Sequence, residues 1–228
     1  MSTKAIVSYD DTPNDFDALM LARVLADAGA EAILAYVRHA TEADRERELL
    51  VEHQAGALLE RGAQTLGDLD VERRVILNAS TAEGIRELIE WEQADIVVFG
   101  SDYRTAAGHV SPQRSTEALL EGGPAAVAIA PANYRSDHIS RFGRIGVLAD
   151  PGDDAAIETA RELGESLRAR VTRDEPYVDL LVVGSRLEAP EGHVMISSAA
   201  WNAIGNATSP VLVVPRGVTV RFPSIVAA

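Results

Sequence analysis

The stretch Asp95-Ile-Val-Val-Phe-Gly100-Ser101 recurs 84 residues later as Asp179-Leu-Leu-Val-Val-Gly184-Ser185, with no gap between the two matches. Each stretch is apolar on both faces and ends in a Gly-Ser pair, which indicates a buried strand of a parallel sheet followed by a loop. The tripeptide Gly-His-Val repeats at the same spacing, at residues 108–110 and 192–194. The sequence therefore predicts two related units, which we call the first copy and the second copy.

The two copies differ in length. Val7–Asp10 at the start of the first copy matches Val147–Asp150 in the second, but the interval that follows is much shorter in the second copy. That interval has room for one helix, so we predict five strands in the first copy and about three in the second. We predict a complete domain over residues 1–135, a shortened domain over residues 142–217 and a tail over residues 218–228.

Apolar runs alternate with helical patterns along both copies. Helix starts are indicated by the capping-box pattern Ser80-x-x-Glu83 and by Thr41-x-x-Asp44, which opens a long helix to about Leu66. Alternation of strands and helices predicts an α/β fold with a doubly wound parallel sheet.

Two flat apolar strands are expected to join the copies. The runs Ala126–Ala130 and Val211–Val214 lie near the end of each copy and carry no charge. An exposed strand edge of this kind promotes aggregation unless another strand pairs with it. We therefore predict that the two runs lie side by side, so that the copies pair internally.

Composition disfavours several classes of function. Lys and Arg number 21 against 35 Asp and Glu, a formal net charge of −14, which disfavours a nucleic-acid binder that neutralises phosphates. The absence of cysteine excludes disulfides, thiolate metal sites, iron–sulfur clusters and a cysteine nucleophile. The N-terminal residues lack a signal-peptide pattern, and the apolar runs are too short to cross a bilayer. We expect a cytoplasmic protein whose partners include neither nucleic acid nor membrane.

The end of the first strand is one candidate site. Ligands of α/β proteins bind at the carboxyl ends of parallel strands, where the strand order reverses. Asp10 is placed there to contact a ribose hydroxyl or a hydrated Mg²⁺, whereas the alternative is that Asp11 and Thr12 merely cap the next helix. An enzyme that hydrolyses ATP would have only Asp10 and Asp11 as candidate acids, with no evident base or nucleophile.

The loop after Gly100 is a second candidate site. Gly100 and Ser101 end a strand, and a loop of small residues leads to a helix start near residues 112–116. Free backbone N–H groups at such a start attract phosphate, so the loop is either a phosphate cradle or a surface loop whose glycines permit the turn. His109 and its equivalent His193 are either phosphate contacts or solvated loop residues.

Several stretches together resemble the universal stress protein family in its tandem form. They are Ser8–Asp10, Asp95–Ser101, the Gly108 loop and Leu119–Pro131 in the first copy, and Val183–Arg186 and Ser209–Pro215 in the second. The resemblance covers residues 4–133 fully and residues 143–217 as a shortened copy. It implies a parallel sheet of the adenine-nucleotide-hydrolase-like type, dimerisation through the last strand, and binding of ATP or AMP without established turnover.

Family members that bind nucleotide carry the pattern G-x-x-G-x9-G-[ST] after the fourth strand. Its four positions fall on Gly100, Tyr103, Gln113 and Arg114, so three of them depart from the pattern. Side chains at Tyr103 and Gln113 oppose close approach of a phosphate to the backbone. Arg114 offers charge and a planar fork of donors instead, so the resemblance implies an altered phosphate site.

The second copy is a poorer candidate for nucleotide binding. The same pattern falls there on Gly184, Leu187, Ser197 and Ser198, of which the first and the last match. The resemblance also implies that the strand edge at Ala35–Val37 supplies the adenine pocket, and we expect the second copy to lack an equivalent strand.

The resemblance implies a non-catalytic regulator of the stress response and not an enzyme. We predict that the first copy binds ATP or AMP with Mg²⁺ through seven residues: Asp10, Val37, Gly100, Ser101, Gln113, Arg114 and Ser115. The alternative is a degenerate dimerisation or interaction module that binds no nucleotide and has no cofactor. Beyond the internal pairing of the copies, a homo-oligomer and an unidentified protein partner both stay open.

Overall fold

Strands form wherever the sequence is apolar on both faces, since such runs are stable only between two layers of helices. The computed structural model describes residues 2–39, 45–134, 142–173, 175 and 177–223. The elements of the first copy are β1 (Thr3–Ser8), α1 (Pro13–Asp27), β2 (Ala30–Arg38), α2 (Arg45–Leu66), β3 (Glu72–Leu77), α3 (Thr81–Glu92), β4 (Ile96–Gly100), α4 (Arg114–Leu120) and β5 (Ala126–Ala130). Those of the second copy are β6 (Arg144–Leu148), α5 (Asp154–Leu167), β7 (Arg170–Thr172), β8 (Leu180–Gly184), α6 (Ser198–Gly205) and β9 (Val211–Val214).

Helix starts follow the capping signals of the sequence. The Glu83 N–H donates to the Ser80 hydroxyl at 3.5 Å, which satisfies one of the free donors at the start of α3. Thr12 and Asp15 form a capping box at the start of α1. The predicted start of α2 at residues 41–44 lies outside the described residues, and the described part of that helix begins at Arg45.

The nine strands of the described residues belong to one sheet, in the order β3-β2-β1-β4-β5-β9-β8-β6-β7. Neighbouring strands are parallel within each copy, and β5 pairs with β9 in the antiparallel sense. The predicted pairing of Ala126–Ala130 with Val211–Val214 is therefore confirmed. The predicted doubly wound α/β fold is confirmed as well, with five strands in the first copy.

A pseudo-two-fold axis relates the copies at this junction. Ala128 faces Leu212, its own equivalent in the repeat. On either side, the Val110 N–H donates to the Ala207 carbonyl at 3.2 Å, and the Val194 N–H donates to the Gly123 carbonyl at 2.8 Å. These two bonds join equivalent positions of the repeat in opposite directions, so the chain folds as an internal pseudo-dimer.

The second copy has four described strands, so the prediction of about three was wrong. The additional strand, β7, lies beside β6 as β2 lies beside β1. It has three residues, and Val171 is its single apolar residue and 37% exposed, so no alternating or continuous apolar pattern marks it in the sequence. The prediction that the second copy lacks a strand equivalent to β2 was therefore also wrong. However, β7 ends at Thr172, which faces Gly146 as Ile33 faces Ile6, and thus stops short of the positions equivalent to Ala35–Val37.

Two apolar layers cover the sheet and run through both copies. One cluster packs α1, α2 and α5 on the sheet and includes Val98 of β4 and Leu212 of β9. The other packs α3, α4 and α6 and includes Val97 and Val213. Residues 218–223 belong to the predicted tail, yet the side chains of Val220 and Phe222 there are 2% and 3% exposed. Within the described ranges, no helix has the length and apolarity that a bilayer crossing requires.

Candidate functional site

The strand order of the first copy reverses between β1 and β4. From β1 the chain crosses to β2 on one side, and from β4 it crosses to β5 on the other side. The two helices that follow β1 and β4 diverge at such a switch point and leave a crevice at the carboxyl ends of the strands. Asp10 follows β1 and Gly100 ends β4, so the structure brings these two predicted site residues to the same crevice.

Asp15 fixes the turn that carries Asp10. Its Oδ2 atom accepts from the Asp10 N–H at 2.9 Å, the Thr12 N–H at 2.8 Å and the Thr12 hydroxyl at 2.7 Å. Burial raises the pKa of Asp15, and the bonds from Thr12 and Asp10 act against that rise. Desolvation also raises the pKa of Asp10, followed by the charge of Asp15, whereas His39 lowers it. The result is a rigid turn with the exposed Asp10 carboxyl beside the crevice.

The Asp11 carboxylate links the turn that follows β1 to α2. The Tyr9 hydroxyl donates to its Oδ1 atom at 2.8 Å, and Arg61 donates to its Oδ2 atom through Nε at 3.0 Å and Nη2 at 2.6 Å. The hydrogen bond from Arg61 holds the pKa of Asp11 below its usual range. Asp11 is therefore an ionised structural group, which leaves Asp10 as the free carboxyl at this strand end.

Gly100 and Ser101 serve the packing of the strand end. A Cβ atom on Gly100 would lie 2.6 Å from the carbonyl carbon of Asn14, so glycine is what lets α1 approach β4. The Ser101 hydroxyl donates to the Ala130 carbonyl at 2.7 Å and accepts from the Ser111 N–H at 3.1 Å. In the second copy the Ser185 hydroxyl makes the equivalent pair of bonds. Both serines are fully engaged with the backbone.

Two side-chain amides close the floor of the crevice. The Gln113 Nε2 atom donates to the Gly100 carbonyl at 3.1 Å and to the Ser101 carbonyl at 3.3 Å. The Asn14 Nδ2 atom also donates to the Ser101 carbonyl. Gln113 is the N-cap residue of α4, so this pair of bonds ties that helix to the end of β4. The structure thus brings Gln113, Gly100 and Ser101 together.

The other predicted site residues lie around this floor. They are either more exposed to solvent or buried in the layer of α3. Arg114 is exposed at the start of α4, and Ser115 beside it is half-buried. Tyr103 is 69% exposed, with the Arg104 guanidinium 4.9 Å from the centre of its ring. The Tyr103 ring is therefore exposed to solvent. Val37 is buried in the layer of α3, so it can offer a ligand its backbone at the end of β2.

Sequence reasoning missed four residues that shape the crevice. They are Asn14 and Asp15 in the first turn of α1, His39 at the end of β2, and Arg61 on α2. The capping position of Asp15 was a usable signal, because an acidic residue at the third helical position completes a capping box. Arg61 lies far from Asp11 in the sequence, and no local pattern connects the two.

At the equivalent place of the second copy, Asp153 lies against the strand end. It is 3% exposed, and its Oδ2 atom has no hydrogen-bond partner in the described part of the chain. A Cβ atom on Gly184 would lie 3.1 Å from the Asp153 Cγ atom and would overlap Oδ2. Burial raises the pKa of Asp153, and backbone N–H groups of α5 act against that rise. A carboxyl thus fills the space that a ligand would need beside Gly184.

Asp153→Asn should stabilise the protein at neutral pH by about 1 kcal/mol, because a buried ionised oxygen without a hydrogen-bond partner is destabilising. A carboxyl whose pKa is raised in the folded state makes the protein less stable as pH rises through that pKa. The stabilisation by Asp153→Asn should therefore vanish at pH values below the pKa of the carboxyl in the unfolded chain. Urea denaturation of both proteins at several pH values measures this. Asp154→Asn, at an exposed neighbour, is the control. An equal gain at every pH would contradict the assignment to ionisation.

Comparison with known proteins identifies the family and the fold. The model of the universal stress protein family matches residues 1–131, more than half of the chain. The chain belongs to the universal stress protein family. The described part of the second copy repeats part of the strand order of the first, with β7-β6-β8-β9 in the places of β2-β1-β4-β5. No curated protein matches this universal stress protein.

Some solved structures resemble this family member over nearly its whole length. A universal stress protein from Archaeoglobus fulgidus DSM 4304 is 16% identical, with a TM-score of 0.70 over 95% of this chain and 100% of that chain. A functionally unknown protein from Pseudomonas aeruginosa PAO1 is 13% identical, with a TM-score of 0.62 over 94% of this chain and 93% of that chain. At these identities the likeness establishes a shared fold.

Proposed function

We propose that this universal stress protein is a non-catalytic regulator of the stress response that binds ATP or AMP in the first copy. The proposal rests on two charged side chains at the β1–β4 crevice, those of Asp10 and Arg114. Within the described part of the chain, neither the Asp10 carboxylate nor the Arg114 guanidinium makes a hydrogen bond or an ion pair. A ligand with hydroxyls at one end and phosphates at the other matches these two charges.

In this proposal the nucleotide lies across the carboxyl ends of β1, β2 and β4. Asp10 accepts from the ribose hydroxyls or from water on a Mg²⁺ ion, which prefers oxygen ligands and keeps several waters. Arg114 meets the phosphates, because its planar fork suits two phosphate oxygens, and Ser115 lies beside it. The β2 backbone at Val37 lies next to the adenine, as in the family resemblance.

Two contacts support a non-catalytic role. The Asp11 carboxylate is bound by Arg61 and Tyr9, so it is not free to take a proton from water. The Ser101 hydroxyl donates to a backbone carbonyl and is fully buried, so it is not placed to attack a phosphate. A group that acts as base or nucleophile needs a free lone pair directed at the ligand.

A second candidate function is an interaction module without nucleotide. The bonds of Gln113 and Asn14 to the Gly100 and Ser101 carbonyls favour it, since both amides occupy the floor of the crevice. The protein would then act by binding either a second copy of itself or another protein.

Calorimetric titration of the purified protein with ATP and with AMP, each with Mg²⁺, separates the two functions. If nucleotide binds, Arg114→Ala should weaken binding by about tenfold or more, and Arg114→Lys should restore part of the loss. Arg104→Ala removes an exposed arginine of the same loop and is the matched control. Mass spectrometry of the denatured protein would show whether nucleotide is carried through purification.

Each outcome selects one function. Absence of heat at millimolar ATP, together with binding created by Tyr103→Gly, Gln113→Gly and Arg114→Ser in combination, establishes the interaction module. Tight binding that is indifferent to Arg114→Ala and to Asp10→Asn would show that the crevice is not the site.

A further inference from the structure

After β9, the described residues 218–223 run from the second copy back to the first. Over residues 219–223 the buried side chains of Val220 and Phe222 alternate with the half-buried Thr219 and the exposed Arg221 and Pro223. This is the period of an extended peptide with one face buried. We call residues 218–223 the strap.

Each copy contributes one buried hydroxyl to the backbone of the strap. The Val220 N–H donates to the Thr159 hydroxyl of α5 at 3.0 Å, and Thr159 is fully buried in the second copy. The Thr3 hydroxyl of β1 donates to the Arg221 carbonyl, and Thr3 is 4% exposed in the first copy. Consecutive residues of the strap are thus bonded to different copies.

The strap shares an apolar cluster with the sheet at the junction of the copies. Val220 and Phe222 belong to the cluster that contains α1, α5, the alanines of β5 at positions 126, 128 and 130, and Leu212 and Val214 of β9. Alanines on this face of β5 leave space above the sheet, and larger side chains must fill it, because protein interiors are close-packed. Val220 and Phe222 are two of the larger side chains in this cluster.

The last residue of the strap fits a glycine of the first copy. A Cβ atom on Gly29 would lie 2.6 Å from the Pro223 Cγ atom. Gly29 precedes β2, so Pro223 lies against the turn between α1 and β2. The strap therefore has an anchored end in the first copy, buried side chains over the junction and a backbone bond to the second copy.

We infer that the surface between α1 and α5 is a peptide-binding groove, built by both copies together, and that the strap is its resident ligand. The groove selects an extended segment with apolar side chains at two alternate positions followed by proline. Its polar contacts, from Thr3 and Thr159, are to backbone atoms, so selectivity lies in the side chains at positions 220 and 222. The occupant of the groove is the strap of the same chain.

The test uses the full chain with Val220→Ala and Phe222→Ala, which weakens the resident ligand. Its melting temperature should fall by roughly 6–15 °C, because two buried apolar side chains are truncated. Val218→Ala, at a strap residue that is 43% exposed, is the matched control and should shift the melting temperature by less than about 2 °C.

The decisive measurement is binding of a synthetic peptide of residues 217–223, followed by fluorescence anisotropy. The double variant should bind this peptide at least about tenfold more tightly than the wild type, whose groove is occupied. The same peptide with alanine at both buried positions should not bind. Excess wild-type peptide should raise the melting temperature of the double variant.

Two results would overturn the inference. One is a double variant with the melting temperature of the control. The other is a lowered melting temperature that the peptide does not raise, with no binding by either protein. If the double variant fails to fold, Phe222→Leu with the same measurements decides between these outcomes.

Discussion

Gly100→Ala should destabilise the protein by about 3–5 kcal/mol, because the new methyl group overlaps main-chain atoms. The added Cβ atom would lie 2.6 Å from the Asn14 carbonyl carbon and still closer to the carbonyl oxygen. Asn14 is in the first turn of α1, and Gly100 is the last residue of β4, which is buried between two strands. Neither element can retreat without breaking the sheet or the helix start.

Gly184→Ala is the matched control, since Gly184 is the equivalent residue of the second copy. Its added Cβ atom meets the Asp153 side chain and not the main chain. A side chain can rotate away, so we expect a loss of about 1 kcal/mol. Urea denaturation of both variants gives the two values. Equal losses, or a loss below about 1 kcal/mol for Gly100→Ala, would mean that contact with α1 does not determine the glycine.

The role of Gly100 marks a limit of sequence reasoning. The family pattern predicts a glycine that lets phosphate approach the backbone, and the structure gives the same glycine a contact with the Asn14 carbonyl. Both roles need a missing side chain, and the sequence cannot distinguish them because the approach of α1 to β4 is set by tertiary packing. Gly100→Ala measures the packing role directly, through stability in the absence of ligand.

The repeat was the most productive signal in the sequence. It identified Ala126–Ala130 and Val211–Val214 as equivalent strands, and their apolar, uncharged edges predicted that they pair. The observed register places Ala128 opposite its own equivalent, Leu212. The repeat also matched Ser101 with Ser185, whose hydroxyls donate to equivalent carbonyls at 2.7 Å. Equivalent residues in similar local sequences make the same short-range contacts, which is why a self-comparison carries so far.

Features held by single contacts between distant segments escaped prediction. The strand β7 has one apolar residue, and the strap has two that flank Arg221, so neither shows a period long enough to recognise. The bond of Arg61 to Asp11 likewise depends on how α2 packs against the end of β1. Such elements acquire their structure from the surfaces that they pack against, and no local sequence pattern describes those surfaces.

Leu212→Asp tests the pairing of the two copies most severely, and it should cost more than about 4 kcal/mol at neutral pH. Leu212 is fully buried on β9, between β5 and β8, at the pseudo-two-fold axis. A carboxylate there would enter the apolar cluster on the α1 and α5 face. Removing one apolar side chain and burying one unpaired charge act in the same direction.

The charge component of that loss has a pH signature. Burial would raise the pKa of the new carboxyl in the folded state above its unfolded value, so stability is lost as pH rises through the folded-state pKa. Leu212→Asp should therefore be less destabilised at pH values near the unfolded pKa than at neutral pH. Leu212→Met conserves volume and should cost less than about 1.5 kcal/mol at either pH. Urea denaturation of both variants at acid and neutral pH supplies the comparison. A pH-independent loss equal to that of Leu212→Met would mean that β9 is not buried between the copies in solution.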